Sequence, residues 1–401
     1  MSDAPEELPL LKEPRSEVIY VEDLTELETA IATLRGAAGP FALDAERASG
    51  FKYSQRAYLV QVHRRGAPIY LIDPIAFSVA ELAGLAALLT EETWILHAAT
   101  QDMPCLAELG LIPTSLFDTE LISRLLGFER VGLGAVCERL LGIRLAKEHS
   151  AADWSTRPLP ESWLNYAALD VDVLPDLYDA MLTEVKSQNK EGIVAAEMQH
   201  LLSFKPKPTK TDKWRGLSGI QNVKERQGLA VARSLWQARE ELAIRLDVSP
   251  GRLVPDLSIT HVAAKIPASK SVLAGDKSFN GRASRSYLDV WWAAISAGAA
   301  SRELPEMRVA STGIPNHRNW DAKYPEAAAR LRVAREVISE LSKENGIPAE
   351  NILTPDYLRA LCFEPRGLDT ESISTQLLEL GARAWQVELV AEPLSNAFLA
   401  L

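Results

Sequence analysis

Apolar residues in the first half of the chain alternate between short runs and helical spacing. Four short runs are rich in β-branched and aromatic residues and bounded by turn residues, and they predict strands at 41–46 (FALDAE), 57–64 (AYLVQVHR), 68–74 (PIYLIDP) and 94–98 (WILHA). Apolar residues at a period of 3.6 predict helices at 79–90, 101–110 and 116–127. Asp118 is the predicted N-cap of the last of these helices. Three strands followed by alternating strands and helices predict an α/β domain with a mixed sheet flanked by helices.

The second half of the chain has a different pattern. A long helical pattern at 161–187, with a break predicted at Pro175, is followed by a basic stretch without periodicity at 203–218. Beyond this predicted linker the chain is helical, and 235–256 resembles 331–356 through shared Ala-Arg-Glu and Leu-x-Pro-Asp sequences. Two diverged copies of one helical unit are the simplest interpretation, and chance similarity between amphipathic helices is the alternative.

These patterns predict five parts. They are an N-terminal tail with a lead-in helix at 1–36, the α/β domain at 37–202, the linker at 203–218, and all-α units at 219–304 and 305–401.

Composition places the chain among globular proteins of a reducing compartment. Its 401 residues suffice for two or three domains, and its three cysteines (Cys105, Cys137, Cys362) form no paired motif. The N-terminus lacks the pattern of a signal peptide, and no apolar run approaches the roughly 20 residues of a membrane span. We therefore expect a cytoplasmic protein without a membrane partner.

Charge is distributed unevenly along the chain. The net charge is −11 overall, but it is −15 over 1–202, +8 over 203–300 and −4 over 301–401. A basic middle third can contact phosphates that an acidic first half would repel.

Two acids close the first predicted strand of the α/β domain. Asp44 and Glu46 are two residues apart, so their carboxylates face the same side of that strand. Two like charges side by side repel each other unless a cation or a proton neutralises them. Taken alone, the pair is also compatible with an exposed strand end whose acids are solvated.

Two further segments carry candidate chemistry. Asp102 follows the strand at 94–98 in the first turn of a helix, where an acid can also simply favour the helix dipole. Tyr166 and Asp170 are four residues apart and share one helix face, which could also be a solvated acidic face.

The order of these segments resembles a known family. The sequences LDAE, ILHAATQD and NYAALD resemble the three motifs of the DEDD superfamily of 3′-to-5′ exonucleases, with the tyrosine of its Tyr branch. The flanking sequences SGFKYSQRAYLVQV and DWSTRPLPESWLNYAALDV look like those of the ribonuclease D family. The two helical units look like helicase-and-RNase-D C-terminal (HRDC) domains. The resemblance extends from about residue 40 to the C-terminus and implies a ribonuclease H-like fold in the α/β domain.

The resemblance also implies a site and a reaction. Asp44, Glu46, Asp102 and Asp170 match the family's metal-binding acids, and Tyr166 matches its fifth catalytic residue. The implied activity is metal-dependent 3′-to-5′ hydrolysis of RNA that releases nucleoside 5′-monophosphates, with two divalent cations, Mg²⁺ or Mn²⁺. Carboxylate oxygens suit such hard cations.

Residues beyond these five are candidates for substrate contacts. A loop after the first motif and a tryptophan before the third could meet the RNA, and the candidates are Lys52, Tyr53, Gln55, Arg56 and Trp154. A solvated loop and a buried anchor for the Tyr166 helix are the respective alternatives.

The expected partner is the single-stranded 3′ end of an RNA, and the resemblance implies a transfer-RNA precursor. A DNA exonuclease and a non-catalytic nucleic-acid-binding adaptor are the alternative functions. A chain ending near residue 202 is expected to keep some hydrolysis if the protein is an enzyme.

Overall fold

The computed structural model describes residues 8–146, 152–206, 211–308 and 313–401. Within them the chain forms an α/β domain followed by two helical domains. Parts of the predicted tail (1–7) and of the predicted linker (207–210) lie outside the described residues.

The described part of the α/β domain contains strands β1 (Leu10–Leu11), β2 (Val18–Val21), β3 (Phe41–Arg47), β4 (Ala57–Arg64), β5 (Ile69–Ile72), β6 (Trp94–Leu96), β7 (Leu116–Asp118) and β8 (Arg144–Leu145). Six of them form one sheet in the order β2-β5-β4-β3-β6-β7, and β1 pairs with β8 separately. β3 lies in the middle of the sheet, antiparallel to β4 and parallel to β6. The predicted mixed sheet flanked by helices is confirmed.

The helices of this domain are α1 (Leu24–Gly36), α2 (Ala83–Leu89), α3 (Met103–Glu108), α4 (Thr119–Leu125), α5 (Leu133–Leu140), α6 (Glu161–Asp172), α7 (Leu174–Ser187) and α8 (Glu191–Leu201). The long helical pattern is divided as predicted, because α7 begins at Leu174 with Pro175 in its first turn.

Helices cover both faces of the sheet, and β4 is therefore buried along its whole length. On β3, Phe41 and Leu43 join the core beneath α1 and α2, whereas Ala42 joins the core on the opposite face, which includes Ala167 of α6. Because side chains alternate along a strand, the even-numbered residues that follow Ala42 are directed toward α6. This alternation determines where the acids of β3 lie.

Residues 8–21, predicted as tail, are part of the domain. β2 pairs in parallel with β5 at the edge of the sheet. Arg15 donates from Nε to Asp172 at 2.8 Å and from Nη1 to Asp176 at 2.7 Å. The tail prediction is corrected here, because 18–21 pairs with β5 and because Arg15 has its partners about 150 residues away, where no local pattern could indicate them.

The second domain contains α9 (Arg226–Leu246), α10 (Pro250–Leu253), α11 (Asp256–Ala264), α12 (Lys270–Gly275), α13 (Arg282–Ser286) and α14 (Leu288–Ala300). The third contains α15 (Trp320–Lys323), α16 (Pro325–Asn345), α17 (Ala349–Ile352), α18 (Pro355–Phe363), α19 (Thr370–Leu380) and α20 (Ala384–Leu399).

The predicted repeat is present in both helical domains. α9, α10 and α11 have 21, 4 and 9 residues, and α16, α17 and α18 have the same three lengths. The interpretation as two copies of one unit is therefore confirmed for these three helices.

The described end of the predicted linker belongs to the second domain. Lys213–Gly216 form a short 3-10 turn, and Trp214 is 3% exposed within that domain's core. The boundary predicted at 218 is thus corrected to a position before Trp214.

The third domain shares a hydrophobic core with the α/β domain. Phe117 and Leu125 belong to the same cluster of contacting buried residues as Leu331 and Leu377. The second domain has a cluster of its own, against which Tyr53 packs from the α/β domain. The third domain is therefore more closely integrated with the sheet than the second.

Polar contacts support this shared core. The buried Lys190 donates to the carbonyl oxygen of Leu125 at 2.7 Å and to that of Gly346 at 3.4 Å. Glu197, which is 4% exposed, accepts from Arg383 Nε at 2.6 Å and from Trp385 Nε1 at 2.8 Å. A buried charge that lost such partners would destabilise the folded state, so these bonds tie the two domains together.

None of the helices in the described residues combines the length and the hydropathy that a membrane-spanning helix requires.

Candidate active site

Three carboxylates from two elements meet at the centre of the α/β domain. Asp44 and Glu46 extend from β3 toward α6, and Asp170 extends from α6 toward them. One oxygen of each lies within 4.8 Å of the others. Asp170 is more than about 120 positions from the other two acids in the sequence, so only folding brings it to them.

Asp102 adds a fourth carboxyl group beside these three. It follows β6 and is 5% exposed. It shares a hydrogen bond with Asp44, and its Oδ1 lies 3.6 Å from Arg47 Nη2. Asp102 is thus connected to the other three acids by its hydrogen bond with Asp44.

An unusual turn precedes Asp102. Ala98 has a φ of 62°, a left-handed conformation that residues other than glycine rarely adopt. The carboxylate of Asp118 accepts from the backbone N–H groups of Ala98 at 3.0 Å and Ala99 at 2.9 Å. These two bonds hold the turn in place.

Asp118 is also the N-cap of α4, as predicted, and accepts there from Glu120 N at 2.9 Å and Leu121 N at 3.2 Å. Sequence reasoning found this cap but not the bonds to the turn before Asp102. The only signal for them would have been the adjacency of β6 and β7 in a parallel sheet.

His97, which directly follows β6, has a structural role. Its Nδ1 lies 2.8 Å from Thr119 Oγ1, and burial lowers its pKa to about 4. A neutral imidazole bonded in this way holds the strand end against α4.

Burial and mutual repulsion disfavour ionisation of the four acids together. Burial, and then the charges of Asp44 and Asp170, raise the pKa of Glu46 to about 10. Burial and Asp44 raise the pKa of Asp102 to about 9. Burial likewise raises the pKa of Asp44 and of Asp170. Without a cation, the cluster must retain protons at neutral pH.

Tyr166 lies beside the acids and donates from its hydroxyl to Asp170, one helical turn away on α6. Burial, and then the charge of Asp170, raise the pKa of this phenol. Tyr166 therefore stays protonated at neutral pH, and its hydroxyl can orient a neighbouring group but cannot act as a full base.

The donor set suits hard divalent cations. It consists of carboxylate oxygens, which are the ligands that Mg²⁺ and Mn²⁺ prefer. Three of the carboxylates are close enough to share a cation, and their raised pKa values indicate a shortage of positive charge. The residues present thus fit a divalent metal site.

Comparisons with known proteins agree with this geometry. Residues 18–186 match the family model of the 3′-5′ exonuclease, 228–295 that of the HRDC domain, and 313–398 that of the 3′ to 5′ exonuclease C-terminal domain. Ribonuclease D of Acidiphilium cryptum is 29% identical over 92% of this chain and 97% of its own. Ribonuclease D of Gluconacetobacter diazotrophicus is 28% identical over 74% of each chain.

The chain is similar to ribonuclease D over nearly its whole length, and residues 18–186 form a 3′-5′ exonuclease domain.

Two solved structures extend over nearly the whole chain. A protein from Bifidobacterium adolescentis is 37% identical over 98% of this chain and 100% of its own, with a TM-score of 0.90. Escherichia coli RNase D is 22% identical over 96% of this chain and 99% of its own, with a TM-score of 0.66, and shows the same fold. The exonuclease domain at 18–186 and the similarity to ribonuclease D identify the protein as an enzyme of the 3′-5′ exonuclease type.

The loop between β3 and β4 carries four of the predicted substrate contacts and touches the second domain. Tyr53 donates from its hydroxyl to Glu240 at 3.2 Å, and Ser54 N donates to Asp247 at 2.8 Å. Arg252 donates to the carbonyl oxygen of Gly50 at 2.7 Å. The loop therefore joins the active-site strand to the second domain.

The four loop candidates differ in their surroundings. Gln55 and Arg56 are exposed, and Lys52 is half-buried. They remain proposed RNA contacts. The Tyr53 hydroxyl is engaged by Glu240, so the structure places this side chain in the domain contact.

Trp154 is a candidate for base stacking in the sequence, and the structure corrects this. Its side chain is 0% exposed, and its ring lies 5.4 Å from that of Trp163 and 6.5 Å from that of Tyr166. A ring with no accessible face cannot stack on a base. Trp154 instead supports the helix that carries Tyr166, which is the alternative interpretation.

In EDTA the protein is expected to become less stable as pH rises from about 5 to about 9. The folded cluster retains protons that the unfolded chain has released, so rising pH favours unfolding. This contribution to stability is complete below the unfolded pKa values and is lost as pH passes through about 9 for Asp102 and about 10 for Glu46. Thermal unfolding followed by circular dichroism measures it.

A loss of about 2 kcal/mol would lower the melting temperature by roughly 4–8 °C. Mg²⁺ or Mn²⁺ should reduce the pH dependence, because a bound cation replaces the retained protons. Asp179→Asn is the matched control, since Asp179 is an exposed carboxylate paired with Arg65, and it should keep the EDTA profile. Identical profiles with and without either cation would contradict the metal-site interpretation.

Proposed function

We propose that this protein, a 3′-5′ exoribonuclease similar to ribonuclease D, removes nucleoside 5′-monophosphates from the single-stranded 3′ end of RNA with two divalent cations. The observation that carries the proposal is the meeting of Asp44, Glu46 and Asp170 within 4.8 Å, with Asp102 bonded to Asp44.

Asp44, Glu46, Asp102 and Asp170 would hold the cations, Mg²⁺ or Mn²⁺. When bound, such cations lower the pKa of an attacking water and neutralise the charge that develops on the leaving 3′ oxygen. Strand β3 and helix α6, which carry three of the acids, pack against each other, and this packing keeps the positions of the acids fixed. A preorganised arrangement of this kind stabilises the transition state without further rearrangement.

Tyr166 would act as a positioning group. Its hydroxyl is held by Asp170, and its ring rests near the buried Trp154. The raised pKa of the phenol keeps the proton on the oxygen, so the hydroxyl can orient the attacking water beside Asp170.

The basic second domain would hold the RNA upstream of its 3′ end. Residues 203–300 carry a net charge of +8, whereas 1–202 carry −15. The loop between β3 and β4, which carries Lys52, Gln55 and Arg56, connects this domain to the strand of Asp44 and Glu46. Phosphate contacts of this kind give affinity without sequence preference.

The substrate class is structured RNA with a free 3′ end, such as a transfer-RNA precursor, in 3′ maturation or turnover in the cytoplasm. Escherichia coli RNase D is an exoribonuclease involved in structured RNA processing. The present chain has the same fold over 96% of its length, which supports a substrate of the same class.

The deciding experiment uses 5′-labelled single-stranded RNA and a DNA of matched sequence, incubated with the protein in EDTA, Mg²⁺ or Mn²⁺. A ladder that shortens from the 3′ end only with metal, and faster on RNA, is the expected result. Faster cleavage of the DNA would overturn the substrate and keep the chemistry. No cleavage of either with both cations would favour a nucleic-acid-binding adaptor.

A further inference from the structure

Arg47 ends strand β3 and directly follows the two acids of the site. The pairing of β3 with β4 shifts register at this point, because Glu46 is opposite Leu59 and Arg47 is opposite Ala57. Irregularities of this kind redirect side chains at the end of a strand, and they occur next to active sites. The Arg47 guanidinium lies at the border of the carboxylate cluster, 3.6 Å from Asp102.

The guanidinium of Arg47 is loosely held. Within the part of the chain that the structure describes, it is held by the 3.6 Å ion pair with Asp102, which is longer than a hydrogen bond, and its side chain is 26% exposed. Arg157 of the same domain, by contrast, donates to both carboxylate oxygens of Asp73 and to three carbonyl oxygens. Arg157 therefore has the contacts of a structural arginine, whereas Arg47 keeps donors available for another partner.

The charge balance of the site indicates what that partner is. Asp44, Glu46, Asp102 and Asp170 together carry four negative charges when ionised, and two divalent cations would balance them. The positive charge of Arg47 then has no counterpart in the cluster. A phosphodiester carries one negative charge, and a planar guanidinium matches two phosphate oxygens in geometry.

We infer that Arg47 is a further catalytic residue, whose guanidinium leaves Asp102 and binds the non-bridging oxygens of the scissile phosphodiester. The inference rests on the proposed function, because it requires the cations to occupy the carboxylates. Arg47 stabilises the charge that accumulates on these oxygens as the attacking water approaches. The alternative is that Arg47 only compensates the acids before cations bind.

The test compares Arg47→Gln and Arg47→Lys with the wild type on single-stranded RNA at saturating Mg²⁺. Arg47→Gln is expected to lower kcat by about 10²-fold, as loss of one charge-stabilising donor does elsewhere. Arg47→Lys keeps the charge but not the two-pronged geometry and should retain an intermediate rate. Arg35→Gln is the matched control, because Arg35 has a similarly loose ion pair, 3.9 Å from Glu91, away from the acids. This control should behave like wild type.

A second readout is independent of turnover. Adenosine 5′-monophosphate, a reaction product, carries the same phosphate, and its binding with Mg²⁺ can be measured by calorimetry. Arg47→Gln should weaken this binding about 10-fold, in line with the loss of a charged hydrogen bond, and Arg35→Gln should not change it.

The outcomes separate this inference from the proposed function. Wild-type kcat and monophosphate affinity in Arg47→Gln, with a melting temperature reduced only in EDTA, would overturn the inference and assign Arg47 to charge compensation. If wild type and Arg35→Gln are both inactive on RNA with either cation, the proposed function fails instead. The monophosphate affinities then still decide whether Arg47 binds phosphate. If Arg47→Gln does not fold, wild-type kcat and affinity in Arg47→Lys would overturn the two-pronged contact.

Discussion

Replacing Asp44 with asparagine is expected to lower the rate of RNA hydrolysis by on the order of 10³-fold or more, while RNA binding changes little. Asp44 is next to every other acid of the site: one of its oxygens lies within 4.8 Å of an oxygen of Glu46 and of Asp170, and it shares a hydrogen bond with Asp102. The amide has the same shape but lacks the negative charge that a divalent cation requires. Single-turnover hydrolysis at saturating Mg²⁺ measures the effect.

The same variant should be more stable than wild type in EDTA. Burial and the neighbouring acids disfavour the ionised form of this cluster, and the substitution removes one of the repelling groups. A loss of activity combined with a higher melting temperature separates a functional role from a damaged fold. Asp179→Asn, which changes an exposed carboxylate remote from the cluster, is the control and should change neither property. Hydrolysis at the wild-type rate by Asp44→Asn would show that the site is elsewhere.

Cutting the chain after residue 202 is expected to give a poorly folded α/β domain. The sequence favours the opposite result, since the linker at 203–218 looks like a clean boundary. The third domain, however, contributes to the same hydrophobic cluster as Phe117 and Leu125, and its removal exposes part of that surface.

The expected loss of stability is large. Each apolar side chain that becomes exposed costs about 1.5–3 kcal/mol, so three such residues approach the total stability of a typical domain, about 5–15 kcal/mol. Solubility and thermal unfolding of the truncated chain measure the effect. A truncated chain that unfolds at the wild-type temperature would show that the shared core contributes little.

A point substitution tests the same contact in the full chain. Gly127 has a φ of 75°, and a Cβ added there would lie 2.4 Å from the carbonyl oxygen of Gly346 in the third domain. Gly127→Ala should therefore separate the two domains locally and lower the melting temperature. Gly142→Ala is the matched control, because Gly142 has a similar φ of 66° and therefore the same backbone strain, but its added Cβ would meet no other part of the described chain within 4 Å. Equal effects of the two substitutions would contradict a close contact at Gly127.

The local sequence pattern was sufficient to predict the strand and the helices that carry the acids. Alternation along a strand predicts that Asp44 and Glu46 share a face, and the four-residue spacing predicts the same for Tyr166 and Asp170. The structure has both pairs as predicted. The helical repeat was equally visible, because two copies of one unit carry the same sequence signals at corresponding positions.

Contacts between distant segments could not be predicted in this way. The pattern around Asp118 indicates a helix cap, but only the adjacency of β6 and β7 adds its bonds to the turn before Asp102. The sequence around Trp154 is equally compatible with an exposed tryptophan that stacks on a base of the RNA and with a buried tryptophan that supports the Tyr166 helix. Trp154 is buried because Trp163 and Tyr166 lie next to its ring in the folded protein.

The sequence by itself determined the strands and helices, the face on which each acid lies, and the division into an α/β part and repeated helical units. These follow from backbone periodicity, which involves neighbours a few residues apart. Only the tertiary structure decided that residues 18–21 complete the sheet, that the third domain shares the α/β core, and that Arg47 lies against Asp102. These features depend on which surfaces meet when the chain is compact. Contacts between residues far apart in the sequence produce no periodic pattern from which they could be predicted.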